Sequence, residues 1–184
     1  CDSTVEQWES ERTAAFDTCG KGRSALRAAL FRTAEAEISA ACGEQAGGLF
    51  NDFEKFFDTI NIYELINRAI AASFPIPILL FALAQHLCPR TIQLQGTCSA
   101  LISLTRSIIA GCKFSVALTR ALLLGSVTEV VESHPAVAVA TYVDDIQITT
   151  TGAKAVVRQG LVEAIISFAS MSKSCLLYTS PSPR

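Results

Sequence analysis

Two carboxylates stand side by side at Asp144-Asp145, between two stretches suited to extended backbone. Residues 136–143 read Ala-Val-Ala-Val-Ala-Thr-Tyr-Val, and residues 146–150 read Ile-Gln-Ile-Thr-Thr. Their alternation and β-branched content predict a β-hairpin with both aspartates at its tip. Adjacent carboxylates on an apolar hairpin repel each other, and a hard divalent cation relieves that repulsion through carboxylate oxygens. The bland alternative is turn chemistry, since aspartate is a favoured turn residue. A second acidic stretch runs Asn51-Asp-Phe-Glu-Lys-Phe-Phe-Asp-Thr-Ile60. Asp52 falls at the end of a short predicted strand over residues 49–53. Two ions about 3.5–4 Å apart need acidic oxygens from separate elements, and a strand-end carboxylate beside an acidic hairpin supplies them. Asp58 reads more simply as a helix N-cap.

The elements that must position these groups follow from periodicity and punctuation. Residues 5–45 read as helix interrupted at Gly20 and Gly22, with a second helix over residues 24–41 capped by Ser24. Ala25, Leu26, Ala29, Leu30 and Ala34 form its apolar stripe. Gly43, Gly47 and Gly48 predict a loop. Asn61-Ile-Tyr-Glu64 has the form of a capping box, which starts a helix over residues 62–72 that Pro75 and Pro77 stop. Residues 69–85 carry no charge. That length raises a membrane span, but the two prolines favour a buried helix after Pro77. Residues 115–124 predict another buried helix. Residues 154–168 predict an amphipathic one, with Val157, Leu161, Ile165 and Phe168 on one side. His86 ends an apolar helix and reads as a satisfied histidine rather than a catalyst. Trp8 reads as packing.

The whole chain sets the frame. With 184 residues, half of them apolar, it holds one ordinary domain with a real core and is no disordered tail. The net charge of -2 advertises no general affinity for nucleic acid. Seven cysteines include no Cys-x-x-Cys pair, which excludes a zinc knuckle or redox motif and fits reduced thiols. An intracellular protein, nuclear or cytoplasmic and not secreted, is the expectation.

Taken together, these segments resemble the reverse transcriptases of non-LTR retrotransposons and group II introns. Asp52-Phe-Glu-Lys-Phe-Phe-Asp58 looks like their motif A, and Tyr142-Val-Asp-Asp145 like the Tyr/Phe-x-Asp-Asp hairpin of motif C. Ala110-Gly-Cys-Lys-Phe-Ser115 lies between them and resembles motif B, with Ala110 where the family has glutamine and Lys113 where it often has proline. Lys21-Gly-Arg-Ser24 resembles a segment of the fingers. The likeness covers residues 19–173. It implies an α+β fold, a right-hand polymerase palm of antiparallel sheet packed on helices, with partial fingers and the thumb missing. Residues 1–18 then form a helical flank. Residues 174–184 read as a tail translated from adapter sequence.

What the resemblance implies is RNA-directed DNA polymerase activity. A primer 3′-hydroxyl attacks the α-phosphate of a dNTP, and two Mg2+ ions, or Mn2+ in their place, assist. The partners implied are an RNA template, a DNA primer and dNTP. Asp52 and Asp144 would be the main metal ligands, Asp145 a secondary one and the Phe53 carbonyl a further one. Phe57 has two readings, an aromatic under the sugar that excludes a 2′-hydroxyl or a core phenylalanine. Tyr142, on one strand face with Asp144, would touch the primer end or template. Gly111 would allow close approach of nucleotide or template, and Ser115 is a helix cap or a contact. Lys21, Arg23, Arg106 and Lys113 would meet the nucleic acid. No Asp or Glu occurs over residues 65–128, where Arg68, Arg90, Arg106, Lys113 and Arg120 stand. That segregation suits a basic cleft around an acidic centre, or else ordinary solvated basic faces. The isolated chain is expected to be inactive as a processive polymerase. The competing readings are a catalytically dead retroelement remnant, an RNA-dependent RNA polymerase and a nucleic-acid-binding module.

Overall fold

The alternation that predicts the hairpin is also what organises the molecule. In the computed structural model, which describes residues 2–175, β4 (Ala138–Tyr142) and β5 (Asp145–Gly152) pair antiparallel, with Tyr142 opposite Asp145. Strand β1 (Gln45–Asn51) pairs antiparallel with the other edge of β5, from Gln45 opposite Gly152 to Asn51 opposite Ile146, giving the order β1-β5-β4. A second sheet is the small hairpin of β2 (Gln93–Leu94) and β3 (Thr97–Cys98). Among the described residues seven helices complete an α+β fold: α1 (Asp2–Arg12), α2 (Ala25–Ala41), α3 (Phe56–Thr59), α4 (Ile62–Ala71), α5 (Ile76–His86), α6 (Ser115–Ser133) and α7 (Lys154–Cys175).

One face of the large sheet is covered. Ile146 and Ile148 of β5 and Val139 of β4 are buried there, and they join a core built from α4, α5, α6 and α7. Burying such side chains contributes roughly 1.5–3 kcal/mol each. Gly47 explains how close α7 comes. A Cβ at that position would lie 2.7 Å from Val157 Cγ1 and 2.8 Å from Leu161 Cδ1. Gly47 and Gly48 therefore sit inside β1, not in the loop expected from their composition. Gly47 marks a close helix–sheet contact rather than a chain reversal, while Gly48 lies against Thr149 of the neighbouring strand.

The opposite face is roofed by α2, and the roof is thin. Ala25, Ala28, Ala29 and Ala36 face the sheet across two hollows, while Leu26 and Leu30 point outward at 81% and 66% exposure. The leucines of the expected apolar stripe are thus not core residues. Ser24 caps the helix as expected, its hydroxyl accepting from Arg27 N–H.

Caps and breaks elsewhere follow the sequence. Asn61 Oδ1 accepts from the N–H groups of Tyr63 at 3.0 Å and Glu64 at 3.4 Å, starting α4. Asp58 is no N-cap: it lies within α3, and its carboxylate accepts from Ser107 Oγ at 3.5 Å. Pro77 sits in the first turn of α5, where a missing N–H costs nothing. Among the described residues no helix is long and apolar enough to cross a membrane. The tail expected from residue 174 has its residues 176–184 outside those described.

Trp8 of α1 is packing, as its sequence context suggests. It is buried, donates from Nε1 to the Ala72 carbonyl at 3.0 Å and meets the Phe74 ring edge-on at 4.9 Å. Beyond α1, residues 16–18 run along the free edge of β4. Thr141 N–H donates to the Phe16 carbonyl, and Thr18 N–H and Oγ1 both donate to the Thr141 carbonyl.

Candidate active site

Antiparallel register brings the first two acidic segments together. Asn51 pairs with Ile146, so Asp52, one step further along the chain, lies beside Asp145. Both line a hollow of about 300 Å3 on the open sheet face, along with Tyr142, Gln147, Phe50 and the α2 residues Ala25 and Ala28. Asp144 occupies the hairpin turn, and its carboxyl senses both neighbours. Its pKa is raised, first by burial and then by the charges of Asp145 and Asp52, against a lowering hydrogen bond from its own backbone. Three carboxylates from two segments far apart in sequence therefore share one electrostatic neighbourhood.

The hairpin geometry corrects two details of the sequence reading. The turn is centred on Val143 and Asp144, while Asp145 already belongs to β5. Only one aspartate is at the tip. Tyr142 consequently shares its strand position with Asp145, its cross-strand partner, and not with Asp144. Val143 carries φ of +58°, in the left-handed region that a β-branched side chain resists. Such a residue costs on the order of 1–3 kcal/mol and persists only where its surroundings impose it. Here the flanking ladder of β4 and β5 does so.

Does this donor set suit a divalent ion? Among the described residues no three Asp, Glu, His or Cys groups are drawn close enough to cage one as they stand. The chemistry of the set nevertheless fits. All three donors are carboxylate oxygens, none pairs with a cationic side chain among the described residues, and Asp144 bears the cost of burial and, after it, of the charges of Asp145 and Asp52. A hard cation relieves that cost.

Phe53 follows Asp52 and packs half-buried, its ring 5.6 Å from Phe56 and 6.2 Å from Phe168. Phe57 is also half-buried, edge-on to Phe56 at 5.6 Å, so its ring is anchored in the core while one side stays open. The Phe57 carbonyl accepts from Ile108 N–H at 3.0 Å.

The remaining expected contacts lie elsewhere. Gly111 and Lys113 line a separate hollow of about 560 Å3 between α5 and the start of α6, which shares no residue with the acidic one. Gly111 adopts φ of +80°, the reason a glycine stands there. Ser115 is neither cap nor surface contact: its buried hydroxyl donates to the Ile109 carbonyl at 2.5 Å, and the cap position belongs to Phe114. Arg106 is exposed and its backbone bridges to Asn61. Lys21 is exposed and pairs with Glu6 at 3.5 Å. Arg23 is committed to the backbone, Nη1 donating to the carbonyls of Ala14, Ala15 and Asp17.

Nor is the acid-free segment a uniform basic cleft. Arg68 pairs with Glu64 at 2.6 Å and Arg90 donates to the His86 carbonyl. Arg120 pairs with Asp17 at 2.6 Å and with Glu9, its side chain only 8% exposed. Sequence reading missed this triad. The signal was present in α6, where Arg120 stands alone among apolar neighbours: a charge in a buried helix must have a partner.

A family model described as reverse transcriptase (RNA-dependent DNA polymerase) matches residues 18–181. The span takes in β1, the acidic hairpin and everything between them. The chain belongs to the reverse transcriptase family. Its members perform nucleotidyl transfer of that type, use divalent metal ions and bind template, primer and dNTP. No curated protein matches the chain.

Proposed function

We propose that this domain extends a DNA primer on an RNA template, as part of a retroelement enzyme, through the carboxylates of Asp52, Asp144 and Asp145. The observation that carries the reading is the meeting of Asp52 and Asp145 in one hollow with Asp144 coupled to both, in a chain of this family. Asp52 and Asp144, assisted by Asp145 and the Phe53 carbonyl, would hold Mg2+, or Mn2+ in its place. The bound metal supplies charge neutralisation at the attacking and leaving oxygens.

The chain's own residues then have distinct tasks. The three carboxylates set the place where the primer hydroxyl gives up its proton. Tyr142, 47% exposed on the open face beside Asp145, offers the primer terminus a ring to rest on. Phe57, held from below by Phe56, sets the floor under the nucleotide sugar, which favours a deoxyribose. Gly111 and Lys113 would meet the nucleotide or template from the separate hollow at the start of α6, while Lys21 and Arg106 are exposed for phosphate contact. Ser115 and Arg23 act indirectly, by fixing the backbone around those contacts.

The test separates site from chemistry. Mn2+ added to the 184-residue chain should broaden the NMR signals of residues near Asp52 and Asp144, and Asp52→Asn or Asp144→Asn should abolish the effect. Single-nucleotide addition to an RNA-templated DNA primer, read in one turnover, tests the chemistry without asking for processive synthesis, of which the isolated chain should show little or none. Mn2+ broadening that survives both substitutions would remove these residues from the mechanism.

A further inference from the structure

The motif-like loop of residues 110–114 is held by a side chain that neither the metal chemistry nor the resemblance uses. His86, the last residue of α5, is fully buried. Its Nδ1 accepts from Ile109 N–H at 2.9 Å. Ser115 Oγ, at the start of α6, donates to the carbonyl of the same residue at 2.5 Å. Ile109 is thus fixed at both its polar backbone groups by side chains from two different helices. The next turn closes on it, with Cys112 N–H also donating to the Ile109 carbonyl and Ser115 N–H donating to the Cys112 carbonyl.

The same residues connect back to the acidic segment. Ile108 N–H donates to the Phe57 carbonyl, and Ser107 N–H donates to the Ile60 carbonyl. Residues 107–109 therefore form a strut, hung at one end from the segment that follows Asp52 and at the other from His86. Beyond it lie Gly111, at φ of +80°, and Cys112, whose thiol donates to Gln85 Oε1 at 3.5 Å.

We propose that His86 is a positioning residue: as a neutral imidazole with its proton on Nε2, it accepts from Ile109 N–H and so sets both the 110–114 loop and the strut behind Phe57. An imidazole whose Nδ1 accepts must carry its proton on the other nitrogen, because a doubly protonated ring has no acceptor. Burial, and secondarily the Arg90 guanidinium, hold its pKa below the usual imidazole range, which keeps the ring neutral. The bearing of this device on nucleotide addition rests on the polymerase reading, but the device itself does not.

Site-resolved thiol alkylation of the folded 184-residue chain reads the loop directly. Cys112 is half-buried, while Cys88 and Cys98 are exposed and serve as internal standards. His86→Leu keeps bulk and removes the acceptor. Cys112 labelling relative to the standards should then rise at least about threefold, as the loop opens locally. His86→Asn places an amide oxygen where Nδ1 stood, two bonds from Cβ, and should restore slow labelling. Equal labelling in wild type and His86→Leu, or no difference between Leu and Asn, would overturn the proposal. Should His86→Leu fail to fold, imidazole 15N shifts of the wild type decide: a proton on Nδ1 overturns it, and an unprotonated Nδ1 supports it. Wild-type chain that adds no nucleotide yet shows the Leu–Asn difference would refute the polymerase reading and leave this one standing.

Discussion

The two faces of the β1-β5-β4 sheet use the same three strands for opposite ends. On the covered face, Ile146, Ile148 and Val139 are buried under α6 and α7 and are spent on packing. On the open face, the intervening residues Asp145, Gln147 and Thr149 look across a shallow space to the alanines of α2. Period-two geometry makes this division possible, since a one-residue shift in register would exchange the faces. Stability is thus concentrated on one side and the proposed chemistry on the other, so substitutions on the two sides should separate into two classes.

The sharpest break in that comparison is at the hairpin. Asp144→Asn should lower single-turnover nucleotide addition by on the order of a thousandfold while the fold persists. It should also raise the melting temperature at neutral pH in the absence of divalent ions. The sign follows from the raised carboxyl pKa. A group that holds its proton more tightly when folded adds stability at low pH and costs it as pH rises through the folded value. The stabilising effect of the substitution should therefore fade as pH falls through the carboxylate range. A melting temperature that falls at neutral pH would contradict it.

Next in size is the covered face. Ile148→Ala, cut from between Leu49 and Val139 in the ladder, should cost about 3 kcal/mol in urea unfolding through the cavity left behind. A loss under about 1 kcal/mol would show that α7 collapses onto the gap. Gly47→Ala should cost about 2 kcal/mol by pushing Val157 and Leu161 away, an overpacking effect confined to this face. The same change at Gly48, whose added Cβ would meet Thr149 Cγ2 at 3.1 Å, should cost less. The smallest effect belongs to Thr149→Ala in the hollow under α2, within about 0.5 kcal/mol of wild type in stability. If it matches Ile148→Ala instead, the open face is not open.

Much of this was legible in the chain. The alternation at residues 136–150 fixes the hairpin and Asn61 with Glu64 fixes the start of α4, because both signals act over a few residues. The segments resembling motif A and motif C stood out as candidate chemistry, and their meeting in space follows once β1 is seen to pair with β5. Strand β1 itself was not legible over its full length. Gly47 answers to α7, more than a hundred residues away, and no local pattern encodes that. The inward alanines and outward leucines of α2 escaped for a related reason: periodicity finds an apolar stripe but not which part of it meets a neighbour. Arg23, Arg68 and Arg120 looked available in sequence, and their partners appear only when the chain is folded.

The Glu9–Arg120–Asp17 triad bears on how this protein can be cut. The family match opens at residue 18, just past both acidic partners of Arg120. A shortened version begun there would strand a guanidinium inside α6 and strip the Trp8 ring from Phe74. It would also remove Phe16, which lies along the strand leading to Tyr142. Uncompensated buried charge of this kind costs about 3–5 kcal/mol, comparable to the whole stability of many small domains. Keeping α1 preserves both contacts, whereas trimming to the matched span would sacrifice the foundation beneath the acidic turn.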